Sequence, residues 1–183
     1  MTELSRGQEY VRGILPELSR IKDPKLRGGV VETWRKAMEV GGWEDVEDIP
    51  FTLLIPEVPV RFVDHVRAVT QMCISVAKVL EVIHESSINM DHLVAGALLH
   101  DVGKLVEYER RGFTIEKSEV GGLLRHPFTG VWLALECGIP GEVAHLIATH
   151  SHEGDRVERT PEAIVLHHCD FIHFELMKRR YSR

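Results

Sequence analysis

The run Ala97-Leu98-Leu99-His100-Asp101-Val102-Gly103-Lys104 constrains this chain more than any other stretch. It reads as an apolar helix that ends in an adjacent imidazole and carboxylate, followed by a glycine and a lysine. An unpaired carboxylate on a core-facing helix is costly to bury unless something neutralises it. A divalent metal does so, and His plus Asp is a mixed nitrogen–oxygen donor set that suits one. A fold for this chain must bury the pair and bring further donors to it.

The surrounding pattern is helical. Phe62, Val66, Val69, Cys73, Val76, Leu80 and Ile83 keep steps of three and four, which predicts a long helix over 60–85 with one apolar stripe. A second helix is expected over 91–102, where Gly96 and Ala97 allow a neighbouring helix to approach closely. Residues 105–119 carry Val106, Tyr108, Phe113 and Ile115 around Arg110-Arg111-Gly112, a short hairpin or an irregular loop. Pro127 marks a helix's first turn and Gly138 its end, Pro140-Gly141-Glu142 opens the next helix, and Thr160-Pro161 starts a last one running to about Arg179. Ahead of these, residues 1–56 read as an N-terminal helical extension. Asp23-Pro24 starts a helix there that Gly41-Gly42 ends, and a proline-broken loop over 45–59 follows. The expected fold is all-α, with 57–183 as the main domain.

With 183 residues the chain is long enough for one sizeable core. A formal net charge of −6 with no long basic run argues against bulk nucleic-acid binding through phosphates. The first residues lack the apolar stretch of a signal peptide, no apolar run is of membrane-spanning length, and Cys73, Cys137 and Cys169 are widely spaced. These features predict a cytoplasmic protein with reduced cysteines and no membrane partner; a homo-oligomer stays open.

Several other donors sit on inward faces. His65 is three residues after Phe62 and four before Val69; His150 is three after Ile147; Asp170 lies between Leu166 and Phe174; His126 precedes Pro127 at a helix entrance. His65, His100, Asp101 and Asp170 would make one His/His/Asp/Asp metal site. His126 and His150, with His152 as neighbour, would complete a second that shares Asp101 as a bridge. Two metals roughly 3.5–4 Å apart are the usual arrangement for hydrolysing phosphate esters. The donor set suits one or two of Fe, Mn, Co, Ni or Zn. His84, His92, His145, His167, His168 and His173 are expected at the surface or behind the ligands, with His167 placed to orient Asp170.

These residues resemble the HD superfamily of metal-dependent phosphohydrolases, whose pattern is His … His-Asp … Asp. The likeness covers about residues 60–178. His100-Asp101-Val102-Gly103-Lys104 is similar to the form found in HD-GYP phosphodiesterases. Gly121-Gly122-Leu123-Leu124-Arg125-His126, Ala148-Thr149-His150-Ser151-His152-Glu153-Gly154 and His167-His168-Cys169-Asp170 look closest to the HD domain of 3′–5′ exoribonucleases and of archaeal cyclic-phosphate phosphodiesterases. The resemblance implies an HD-domain helical bundle. It implies that His65, His100, Asp101 and Asp170 hold one metal, that His126 with His150 and His152 holds another, and that Lys104 contacts a substrate phosphate. Three departures stand out. The Gly-Tyr-Pro signature is missing, the exoribonucleases' preceding OB-fold has no counterpart, and Ser151 separates two histidines that relatives often place side by side.

The activity expected is hydrolysis of a phosphate mono- or diester of a small nucleotide or related metabolite, by attack of a metal-bound hydroxide, with Asp101 and Lys104 as the catalytic residues. Lys104 has a second reading as a solvated cation at a helix end. Arg110, Arg111 and Arg125 are further candidates for the substrate's phosphate or base. Two other functions use the same ligands: a di-iron oxygenase, and a non-catalytic nucleotide-binding sensor.

Overall fold

The computed structural model describes residues 3–182; Met1, Thr2 and Arg183, at the outer bounds of the two expected segments, lie outside them. The chain is an α-helical bundle carrying one small hairpin. At its centre is α4 (Met90–Leu99), in which every residue from Leu93 to Leu99 is buried. A helix that is apolar all round needs cover on every side. One side is closed by α1 (Glu3–Ile14) and α2 (Pro24–Gly41), whose Val11, Val30 and Trp34 join Val94, Leu98, Leu99 and Ile147 in one cluster. The other is closed by α3 (Phe62–His84), α8 (Gly141–Thr149) and α9 (Pro161–Tyr181), through Val69, Cys73, Leu146, Leu166 and Cys169. Residues 11–49 therefore share a core with the helices that follow them. The Trp34 indole N–H, donating to the Leu98 carbonyl at 2.8 Å, ties the two across the centre.

Two helices are shorter on the core side than their periodicity predicts. The second expected helix stops at Leu99, and residues 100–103 form a tight turn in which the Val102 N–H returns to the Leu99 carbonyl. The apolar stripe of α3 is buried at Phe62, Val66, Val69 and Cys73 but emerges at Val76 and Ile83, which stand beside exposed Val79 and Val82. Period reports which residues share a face, not how far a neighbour extends. A 10-residue α4 is about 15 Å long and a 23-residue α3 about 35 Å, so α4 covers only part of it.

The remaining elements build the site's rim. Lys104–Glu107 is a single turn, α5, that leads into the hairpin β1 (Tyr108–Arg111) and β2 (Thr114–Lys117), joined through Gly112 in the left-handed region. The short α6 (Glu119–Leu123) then delivers the chain to α7 (His126–Glu136). Phe51, Ile55 and Val58, from the loop before α3, pack on Phe174, Met177 and Tyr181 of α9. Two glycines permit close approaches. A methyl on Gly96 would run into the Leu146 side chain of α8, and one on Gly103 into the His126 carbonyl at the start of α7. Gly103 is thus what lets the Asp101 turn touch the His126 turn.

Candidate metal centre

Helix ends converge on Asp101. His65 lies in the first turn of α3 and His126 is the first residue of α7; His100 and His150 immediately follow the last residues of α4 and α8. All four imidazoles and Asp101 are buried. The Asp101 carboxylate divides its oxygens between two groups. Oδ2 faces His65 Nε2 at 3.1 Å and His100 Nε2 at 3.4 Å; Oδ1 faces His126 Nε2 at 3.2 Å and His150 Nε2 at 3.7 Å. Asp170, on α9, brings Oδ1 to 3.2 Å from His65 Nε2 and 3.8 Å from His100 Nε2.

The far side of each ring is tied. Nδ1 of His100 donates to the Ala97 carbonyl and Nδ1 of His150 to the Ile147 carbonyl, both at 2.7 Å. His126 Nδ1 meets Glu107 Oε2 at 2.6 Å, and His65 Nδ1 meets His173 Nδ1 at 2.9 Å. A carbonyl only accepts, so Nδ1 of His100 and of His150 carries the proton. With the Nδ1 proton held this way, it is Nε2 of each ring that faces a carboxylate. Burial pushes His126 down to about 4, so this ring is neutral near pH 7. Lone pairs crowded around a buried carboxylate repel one another unless a cation sits among them. His65, His100 and Asp101 form one group whose donor atoms lie within 4.8 Å of one another, and Asp101, His126 and His150 form a second. The residues present fit one or two divalent ions, with Asp101 common to both positions.

Charge is balanced locally. Burial works to raise the Asp101 carboxyl, but the Lys104 ammonium and His100 hold it well below the usual carboxylate range. Burial likewise opposes ionisation of Asp170, and the His65 hydrogen bond with the neighbouring His100 and His65 rings carries it below that range. His65 is raised: burial would lower it, and the bonds to Asp101 and Asp170 outweigh that. Lys104 opens α5 and is buried, so it is not a solvated helix-end cation. Its Nζ donates to Asp101 Oδ2 and to the Phe51 carbonyl, both at 2.6 Å.

A cavity of about 360 Å³ opens over the cluster. Asp101, Lys104 and the imidazoles of His65, His126 and His150 line its floor; Phe51, Phe171 and Phe174 form an apolar wall; Lys117 and Arg125 stand among its other lining residues. Of the three arginines singled out from the sequence, Arg125 reaches this cavity, where Glu153 holds it at 3.0 Å. Arg110 stacks over Trp43, and the exposed Arg111 pairs with Glu109 and Glu116. His152 touches the cavity wall, but its side chain is 71% exposed and its Nδ1 pairs with Asp155, so the structure does not bring it into the donor cluster. His167 donates to the His150 carbonyl at 2.7 Å rather than to Asp170. Glu107, Lys117 and Phe51 complete the site without having been singled out, while His173, expected at the surface or behind the ligands, stands behind His65. His173 lies one helical turn past Asp170, which is the signal that distinguishes it from the other histidines of that group.

The sequence matches the HD domain family over residues 62–175. It is 30% identical over 161 residues to the dihydroneopterin 2′,3′-cyclic phosphate phosphodiesterase of Methanocaldococcus jannaschii. That alignment covers 82% of this chain, and the chain spans 64% of that relative's length. No solved structure matches the chain.

Proposed function

Because the chain belongs to the HD domain family, we propose that it is a metal-dependent phosphohydrolase acting on a small phosphorylated metabolite. The observation that carries this reading is the convergence of imidazole lone pairs on a shared, buried Asp101 at the floor of a cavity with cationic and apolar lining. His65, His100, Asp101 and Asp170 would hold one ion, and Asp101, His126 and His150 a second. Such ions, when bound, lower the pKa of water and offset charge on phosphoryl oxygens.

The chain's own residues do the rest. Asp101 stays ionised and spreads its two oxygens over both positions. An ammonium has three donors, and Lys104 spends two on Asp101 and Phe51, which leaves one N–H for a phosphoryl oxygen. Phe51, Phe171 and Phe174 exclude water from one wall and offer flat apolar surface to the non-phosphate part of the substrate. The cyclic phosphodiester in the relative's name supports a diester of nucleotide-like size, cleaved here by water. Among the described residues no helix is long and apolar enough to cross a membrane.

The test is elemental analysis of protein purified without chelators, joined to a screen of phosphomonoesters, linear diesters and 2′,3′-cyclic phosphates under each candidate metal. Bound divalent metal with metal-dependent turnover is expected. Two irons with oxygen consumption and no ester turnover would move the assignment to an oxygenase. Tight nucleotide binding without turnover would make it a sensor. No bound metal and no metal-dependent activity would overturn the reading.

A further inference from the structure

We infer that Glu107 is a positioning residue for the second metal position, setting the ring orientation and donor strength of His126; this rests on the metal-site reading above. Glu107 closes α5, two turns beyond Asp101, and is buried. One oxygen, Oε2, accepts from both the backbone N–H and Nδ1–H of His126, each at 2.6 Å. The backbone bond has an ordinary explanation. His126 opens α7, the preceding Arg125 makes no side-chain cap, and a free helix N-terminal N–H needs an acceptor. That need does not account for the second bond. By taking the Nδ1 proton, the carboxylate fixes the tautomer in which the lone pair is on Nε2, and Nε2 then faces Asp101 Oδ1 at 3.2 Å. A carboxylate behind a ligating imidazole also strengthens it as a donor.

The surroundings keep Glu107 where it is. Its own carbonyl accepts the Ser118 N–H at 2.9 Å, and the backbone of α6 at Gly121 presses so closely on that carbonyl that a methyl there would collide with it. Lys117 Nζ stands 3.6 Å from Oε1, an exposed cation that leaves Oε2 to the histidine. The three residues Asp101, Lys104 and Glu107 thus follow one another at intervals of three, each meeting a different part of the site.

The experiment is titration of the chelator-stripped full chain with Co(II), followed by visible absorption and elemental analysis, for the unaltered protein, Glu107→Gln, Glu107→Asp and His126→Ala. In Glu107→Gln the two N–H groups of His126 oblige the amide to turn its oxygen toward them, so the helix cap survives and the charge is lost. We expect one of two cobalt positions to weaken by about 10- to 100-fold, the other to keep its affinity, and His126→Ala to show the same position lost. Glu107→Asp, which keeps the charge but withdraws it by one methylene, should weaken the same position, and it decides the matter if Glu107→Gln does not fold. Unchanged affinity at both positions would overturn the inference, as would equal weakening of both, which is the mark of a general structural role. If the unaltered protein binds no cobalt, the metal-site reading itself fails, and this inference with it.

Discussion

The four buried histidines fall into two pairs that reach the same centre by different means. His100 and His150 stand at the C-terminal ends of α4 and α8, where the last carbonyls of a helix have no intrahelical partner. Each ring donates to the carbonyl three residues back in its own helix. His65 and His126 stand at the starts of α3 and α7, where the spare groups are N–H donors, and an imidazole finds no acceptor in its own helix. Their anchors come from far along the chain: His173 for the first, Glu107 for the second. Each oxygen of Asp101 faces one histidine of each kind. Of the two histidines facing each Asp101 oxygen, one is therefore oriented locally and the other by a tertiary contact, and the tertiary contacts are where the site is open to perturbation.

Asp101→Ala removes the residue on which both pairs meet, and the largest effect is expected there. Metal content should fall to background and activity by more than the about 100-fold typical of residues behind the ligands, with far-ultraviolet circular dichroism retaining its helical signal. Retained metal at both positions would break the picture of a shared ligand.

His173→Asn comes next and addresses His65, the distantly anchored histidine beside Asp101 Oδ2. The position built from His65 and His100 should lose about 10-fold in metal affinity while the one at His126 and His150 is unaffected, as read by the same Co(II) titration. Loss at the wrong position would undo the division into pairs.

The pH dependence of the stripped protein sharpens the comparison further. Burial holds His126 and His173 down at about 4, against 6.5 for a free imidazole. The unfolded chain therefore takes up these protons first, and the stability they contribute is complete above pH 6.5 and is lost as pH falls toward 4. His65, raised in the fold, contributes fully below pH 6.5 and loses its contribution only as pH rises through its folded value, so it does not mask the trend. Thermal unfolding should show a midpoint that declines from pH 6.5 to 4, with a shallower decline in His173→Asn. A flat profile in the unaltered protein would contradict the assignment of neutral rings.

The smallest effect belongs to His152→Ala. An exposed ring paired with Asp155 is expected to leave metal content unchanged and stability within about 0.5 kcal/mol. A lost metal would place His152 among the ligands after all.

What could be seen in the sequence follows the same line. His100 and His150 declare themselves through the apolar helices they terminate, and His65 and Asp170 through their place in a helical stripe. The helical class and a hairpin near 105–119 are visible in period and turn residues. Glu107 is not, nor is the tie between His173 and His65, because each joins residues far apart in sequence: 19 positions separate Glu107 from His126, and 108 separate His65 from His173. The exposed end of α3 was hidden for the converse reason: its stripe is regular, and only the reach of its neighbours decides where cover stops.

Phe51 lies ahead of the matched HD region, yet its carbonyl holds Lys104 and its ring sits 5.0 Å from that of His65. The leading segment is thus not a detachable accessory. A shortened chain beginning near residue 57 would strip one partner from the buried ammonium and one ring from the cavity's apolar wall, so this region could not be exchanged as a module without disturbing the site itself.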